Sequence, residues 1–144
     1  MESTAPPSPD VALLHAADRG DVAGVLSAVK SGANVDARDG CQRTALFLAS
    51  QQGHSEVVES LVDLGADSNA QADDGSTPLM HAALHGVWSA DAAALRVLLG
   101  AEADVNVRTN TGGTALSIVH RSTQNCPQKD RVVQILKNAG AVRT

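Results

Sequence analysis

The sequence predicts an all-α solenoid of four helix-turn-helix units, stacked side by side with protruding hairpin-like loops. Three observations predict it. The first is internal repetition: TPLMHAALHG, at Thr77–Gly86, has a copy TALFLASQQG at Thr44–Gly53 and another, TALSIVHRST, at Thr114–Thr123. A weaker copy, VALLHAADRG, runs from Val11 to Gly20. Self-similarity at a near-fixed period is the mark of a repeat array. The second is the kind of apolar residue. The chain is 43% hydrophobic but holds one Phe, one Trp and no Tyr, and a core of Ala, Leu and Val suits thin helices laid in layers. The third is spacing: Val22, Val25, Leu26 and Val29, then Val57, Val58, Leu61 and Val62, recur at helical intervals.

Taken in order, residues 1–9 (MESTAPPSP) read as a flexible tail, and residues 10–144 as one repeat domain. Its units fall at about 10–38, 39–71, 72–108 and 109–144. Asp10 is the expected cap of a first helix carrying Val11, Leu13, Leu14, Ala16 and Ala17 and stopping at Gly20. A second helix starts near Asp21, reaches Lys30 and ends with Gly32. In the next unit Thr44 caps one helix, His54 or Ser55 begins another, and Gly65 ends it. In the third, Thr77 caps, Pro78 suits the first turn where its missing N–H costs nothing, and Gly86 supplies a stop. Ala82 and Ala83 form a narrow stripe that a neighbouring layer can approach closely. Four extra residues around GVWSADAAAL and five within QNCPQKDR fall between the two helices of the last two units. They are expected side by side on one edge, with Ser89 and Asp91 as cap and first-turn acid and Pro127 opening the final helix.

At this point the chain resembles the ankyrin repeat family. The resemblance rests on TALFLAS, GHSEVVESLV and GADSNA, then on TPLMHAA, LRVLL and EADVNV, all in register, and covers about residues 10–142. It implies an ankyrin repeat solenoid whose end units act as caps. Several positions depart from the pattern. The histidine that usually follows TPL is replaced by Leu14, Phe47, Met80 and Ser117, so looser helix starts are expected. Gln42 stands where a hairpin glycine belongs. Glu102 replaces the glycine that Gly32, Gly65 and Gly140 supply, so a less regular third helix ending is expected.

Composition narrows the function. The formal charge is −5 and the Lys and Arg are scattered, which argues against a nucleic-acid footprint. No run is long enough to insert in a membrane, and the N-terminus lacks a signal sequence. Cys41 and Cys126 lie far apart without metal-ligand spacing, so an intracellular protein, cytoplasmic or nuclear, is expected. No catalytic constellation is present and no cofactor is expected. His81 and His85, four apart on one helix face, have the spacing of zinc-binding histidines, but register places His81 against the neighbouring layer and His85 on the variable end of the helix, and no third ligand is near. His54 reads as a donor bracing the adjacent hairpin.

The resemblance implies a protein-interaction module, an adaptor or inhibitor that is monomeric alone. Its partner would lie against the hairpin tips and the concave face of the first helices. Carried over by position, the tips give Arg38, Gly40, Cys41 and Arg43, then Gln71, Asp73, Asp74 and Ser76, then Arg108, Asn110, Thr111 and Gly113. The helix ends give Arg19, Gln51, Gln52, Leu84, His85, Arg121 and Ser122. Two alternatives stand beside it: a regulatory subunit or chaperone that caps a partner through Trp88, and a metal-dependent enzyme resting on His81 and His85. Trp88 either covers the lengthened loop or offers an anchor. The resemblance also implies hydroxylation candidates, Asn69 and Asn106, each with a Leu eight residues earlier. Both asparagines equally suit bracing of their loops through the backbone.

Overall fold

The computed structural model describes residues 8–89, 91–122 and 127–141. Among these, regular structure is helical, apart from one antiparallel bridge between Arg38 and Thr44. The helices are α1 (Pro9–Arg19), α2 (Val22–Lys30), α3 (Ala45–Gln52), α4 (Ser55–Asp63), α5 (Pro78–Ser89), α6 (Ala93–Gly100), α7 (Ala115–Arg121) and α8 (Pro127–Asn138). Each odd helix pairs with the even helix that follows, and α1, α3, α5 and α7 stack in sequence to form one layer. In the other layer α2 packs on α4 and α4 on α6, while α8 rests on α7 and α5. The core repeats with the units. Leu13, Leu46, Leu79 and Leu116 are buried at one register position, and Leu61, Leu98 and Leu136 at another. Each buried leucine contributes about 1.5–3 kcal/mol, which a single helix pair could not collect alone. Ala82 and Ala83 are both buried in α5, as their stripe predicts.

The helix starts are firm rather than loose. Thr44 Oγ1 accepts from Phe47 N at 3.2 Å, Thr77 Oγ1 from Met80 N at 3.4 Å and Thr114 Oγ1 from Ser117 N at 3.3 Å. Ser117 Oγ in turn accepts from Thr114 N at 2.8 Å, closing a capping box. The first cap is Ser8, whose Oγ accepts from Val11 N, and not Asp10. The Asp10 carboxylate is drawn instead to Asn34 N, 2.8 Å away in the following loop. The same device recurs between loops: Asp36 accepts from Asp67 N at 2.9 Å, and Asn69 from Asp104 N at 2.8 Å.

Gly86 is not a stop. The third copy's extra residues extend α5 to Ser89, and Gly86 is buried where a Cβ would lie 3.1 Å from Val132 of α8. The glycine serves close packing between units. Ser89 ends α5, donating to His85 O at 2.7 Å, so it caps nothing at α6. Asp91 lies two residues before α6 and accepts from Ala93 N at 3.0 Å. Pro127 opens α8 as expected. Residues 123–126, which include the first part of QNCPQKDR and Cys126, lie outside the described residues, as do residues 1–7 and 142–144.

Gln42 and Glu102 both take the left-handed conformation, each at φ 62°. The α6 ending is as regular as that of α4. Ala103 N reaches Leu98 O at 3.1 Å, as Ala66 N reaches Leu61 O at 3.0 Å. The departure from glycine costs backbone strain of about 1–2 kcal/mol instead of disordering the turn.

Candidate functional site

The hairpin loops are joined into one hydrogen-bonded edge. Arg38 Nη1 donates to Gln42 O at 2.9 Å in its own hairpin and to Gln71 O at 2.8 Å in the next. Gln71 Nε2 repeats the step, donating to Gly75 O at 2.9 Å and Arg108 O at 3.0 Å. Arg108 Nη1 then donates to Gly112 O at 3.3 Å. At the tips, Asp73 N donates to Cys41 O at 3.1 Å and Asn110 N to Asp74 O at 2.9 Å. Asn110 Nδ2 adds a bond to Asp73 O at 2.7 Å. Gly75 permits this approach, because a Cβ there would stand 2.6 Å from Asn110 N. The residues in the tip set thus divide into structural stitches (Arg38, Gln71, Arg108, Asn110) and freer side chains.

Two grooves run between the tips and the first helices. One, of about 610 Å³, has an apolar floor of Val11, Leu14 and Leu48, and Arg38, Arg43, Gln51 and Gln52 along its walls. The other, of about 310 Å³, lies one unit further and is lined by Cys41, Phe47, Asp73, Asp74 and His81. Arg43 and Gln51 line both, so the grooves are contiguous. Arg43 is held by Asp39, Nε to Oδ2 at 2.8 Å, and Gln52 Nε2 reaches Asp18 Oδ1 at 3.2 Å. Partial burial works against the ionised Asp39, yet the Arg43 and Cys41 amides and the Arg43 guanidinium hold its carboxyl below the usual range. The Ser76 hydroxyl and amide hold Asp74 low in the same way. Burial pushes the His81 imidazole down, partly opposed by Asp74 and reinforced by Arg43.

Other candidates fall elsewhere. Ser76 is only 4% exposed and donates its hydroxyl to Asp74, so it braces the tip from within and is no contact residue. Gly113 is likewise buried. Arg19, near Asp21 at 3.7 Å, and Arg121, exposed at the end of α7, line neither groove. Thr111 is exposed beside Thr109, its hydroxyl 3.2 Å away, and Ser122 donates to Val119 O at 2.8 Å. Leu84 and His85 are half-buried. The His85 ring sits directly over Gly53, at the seam between units and not on a free helix end. Trp88 is 61% exposed at the end of α5, so it does not fold back over the loop. Cys41 is an exposed thiol. Sequence reasoning passed over Val11, Leu14, His15, Asp18, Asp39, Phe47 and Leu48. The available signal was the apolar Leu14 and Phe47 at positions where the family pattern has histidine.

The two histidines of α5 are engaged by the preceding unit. The His81 ring meets Phe47 with centroids 4.5 Å apart, and its Nε2 lies 3.3 Å from Ser76 Oγ. Among the described residues no group of three His, Cys, Asp or Glu side chains is placed to hold a metal. His54 does brace a neighbour, but the neighbour is the end of α1, through Asp18 O at 2.9 Å, and not the hairpin. Asn69 braces the next loop through Asp104 N, and Asn106 Nδ2 donates to Gly140 O at 3.2 Å. No helix among the described residues is long and apolar enough to cross a membrane.

Comparison with known proteins agrees with this architecture. The family model for ankyrin repeats (3 copies) matches residues 13–109. The putative ankyrin repeat protein YahD of Escherichia coli (strain K12) is 33% identical over 72% of this chain and 50% of its own length. Protein phosphatase 1 regulatory subunit 27 of Homo sapiens is 37% identical over 53% of this chain and 49% of its own. The inactive serine/threonine-protein kinase TEX14 of Bos taurus is 43% identical over 47% of this chain but 5% of its own. The chain thus spans half or less of the length of these relatives. With repeated Thr-capped helices, a stitched hairpin edge and a family match over most of its length, the chain belongs to the ankyrin repeat family.

Proposed function

We propose that this chain is a non-catalytic protein-interaction module, an adaptor or inhibitor, whose partner lies against the hairpin tips and the grooves beside them. The observation that carries this reading is the pair of contiguous grooves sharing Arg43 and Gln51. They lie beside an edge already fixed by inter-hairpin hydrogen bonds, so little ordering entropy is lost on binding. Gly40, Cys41, Arg43, Gln51, Gln52, Asp73 and Asp74 are the contacts proposed there. Ankyrin repeats generally mediate protein–protein interaction, and one relative is by name a regulatory subunit.

A second reading, a regulatory subunit or chaperone that caps its partner through the edge near Leu84 and Trp88, is favoured by the exposure of Trp88. Proximity labelling in the native host, with wild type, Asp73→Lys and Trp88→Ala compared, separates the two. Loss of the same labelled protein with Asp73→Lys alone supports the groove. Its loss with Trp88→Ala alone overturns that assignment in favour of the edge. Asn69 and Asn106 stand as proposed hydroxylation candidates. Peptide mass spectrometry of native protein without added oxygen on either ends that proposal.

A further inference from the structure

We propose that the grooves take an extended, polyproline-II-like peptide carrying an apolar side chain and, three residues away, a lysine or arginine. This inference rests on the groove reading above and gives the partner its chemistry. The first groove is a neutral seat for an apolar side chain. Its floor is Val11, Leu14 and Leu48, with Val11 40% exposed. The charges on its walls, Arg38 and Arg43 against Asp18 and Asp39, balance, and each group is engaged within the protein: Arg38 by two carbonyls, Asp18 by Gln52 and Arg43 by Asp39.

The second groove differs in charge. The Asp73 carboxylate has no hydrogen bond or ion pair among the described residues, while its backbone is locked in the tip ladder. The Asp74 carboxylate is held ionised by Ser76. The Arg43 charge that faces them is already matched by Asp39. Burial keeps the neighbouring His81 from offsetting them by protonation at neutral pH. Two carboxylates therefore stand over a groove whose inner wall is the buried Phe47 packed on His81, an arrangement complementary to a cationic side chain.

Spacing ties the two subsites together. The first groove lies between α1 and α3 and the second between α3 and α5. Packed helices sit about 8–10 Å apart. A polyproline II segment has three residues per turn and rises about 3.1 Å per residue, so side chains about three apart point the same way across about 9 Å. A flat strand would turn the third residue to the opposite side.

The test is selection of a displayed library of random linear peptides on the full chain, followed by fluorescence anisotropy of an enriched peptide. Enrichment of an apolar residue with Lys or Arg three positions away is the expected result. Asp73→Lys should then weaken the peptide about tenfold, more steeply at low salt, and Asp73→Asn by about threefold. Val11→Ser should weaken it too, while the matched reversal Glu59→Lys, exposed on α4, should not. Circular dichroism of Asp73→Asn checks that the loss is not misfolding. Enriched peptides that are acidic or lack the cation, yet are weakened by Val11→Ser, overturn this inference and leave the groove reading standing. Peptides indifferent to every groove substitution overturn both. Self-association of the protein alone, abolished by Asp73→Lys, assigns the groove to a second copy and also overturns it.

Discussion

The interlock between Gly53 and His85 allows a sharp test of how the units are fastened. Gly53 ends α3 at φ 75°, and an added Cβ would overlap the His85 ring of the next unit. Gly53→Ala therefore carries two costs. The left-handed backbone costs an alanine about 1–2 kcal/mol, and displacing a packed ring adds about 1 kcal/mol. A total of about 2–3 kcal/mol, with a urea slope of about 2 kcal/mol per molar, moves the midpoint down by about 1–1.5 M. In a His85→Ala background the ring is gone and only the backbone cost remains, so the two substitutions should couple by about 1 kcal/mol. Urea melts of wild type, both single variants and the double variant measure this directly. Additivity within about 0.5 kcal/mol would refute the interlock. Gly20 beneath His54, where a Cβ would lie 2.8 Å from Nδ1, gives a second instance in the same chain.

Other expectations follow from the packing and the electrostatics. Ala83→Leu, at a fully buried position, should lower stability by about 1–3 kcal/mol, while Asp73→Ala leaves it nearly unchanged; equal effects in denaturant melts would contradict the register. Arg38→Ala removes a donor shared by two hairpins and should cost about 1 kcal/mol in urea melts, against no loss if the guanidinium were idle. The His81 pKa is lowered from 6.5, so as pH falls below that value the unfolded chain takes up a proton before the folded one does. Stability is thus fully present above 6.5 and declines toward the lower folded value. In thermal melts across this window, His81→Leu, which copies Leu48 at the same register position, should flatten the decline. Asp39 and Asp74, lowered from 3.8, add a separate loss as pH falls through that acidic range.

What was legible in the sequence was what each unit states locally. Thr44 and Thr114 cap because a threonine before an apolar run has one near amide to satisfy, and Gly20, Gly53 and Gly65 mark helix ends by position alone. What was not legible depends on residues far along the chain. A glycine that ends a helix and one that lets another helix approach look alike, and only Val132 distinguishes Gly86. Ser8 and Asp10 are both good caps, and the choice was made by Asn34 N, which draws Asp10 away. The stitching position escaped because its occupants, Arg38, Gln71 and Arg108, share reach and donors rather than residue type. For the same reason the groove floor was missed: Val11, Leu14 and Leu48 read as core until the hairpin tips rise beside them.

The central claim is that a protein partner occupies the tips and grooves, and amide hydrogen exchange on the captured complex tests it most directly. Protection gained at residues 38–43 and 71–76 and along the groove-facing ends of α1 and α3 is the result expected. Protection confined to the end of α5 around Trp88, with the tips exchanging as in the free protein, would contradict it.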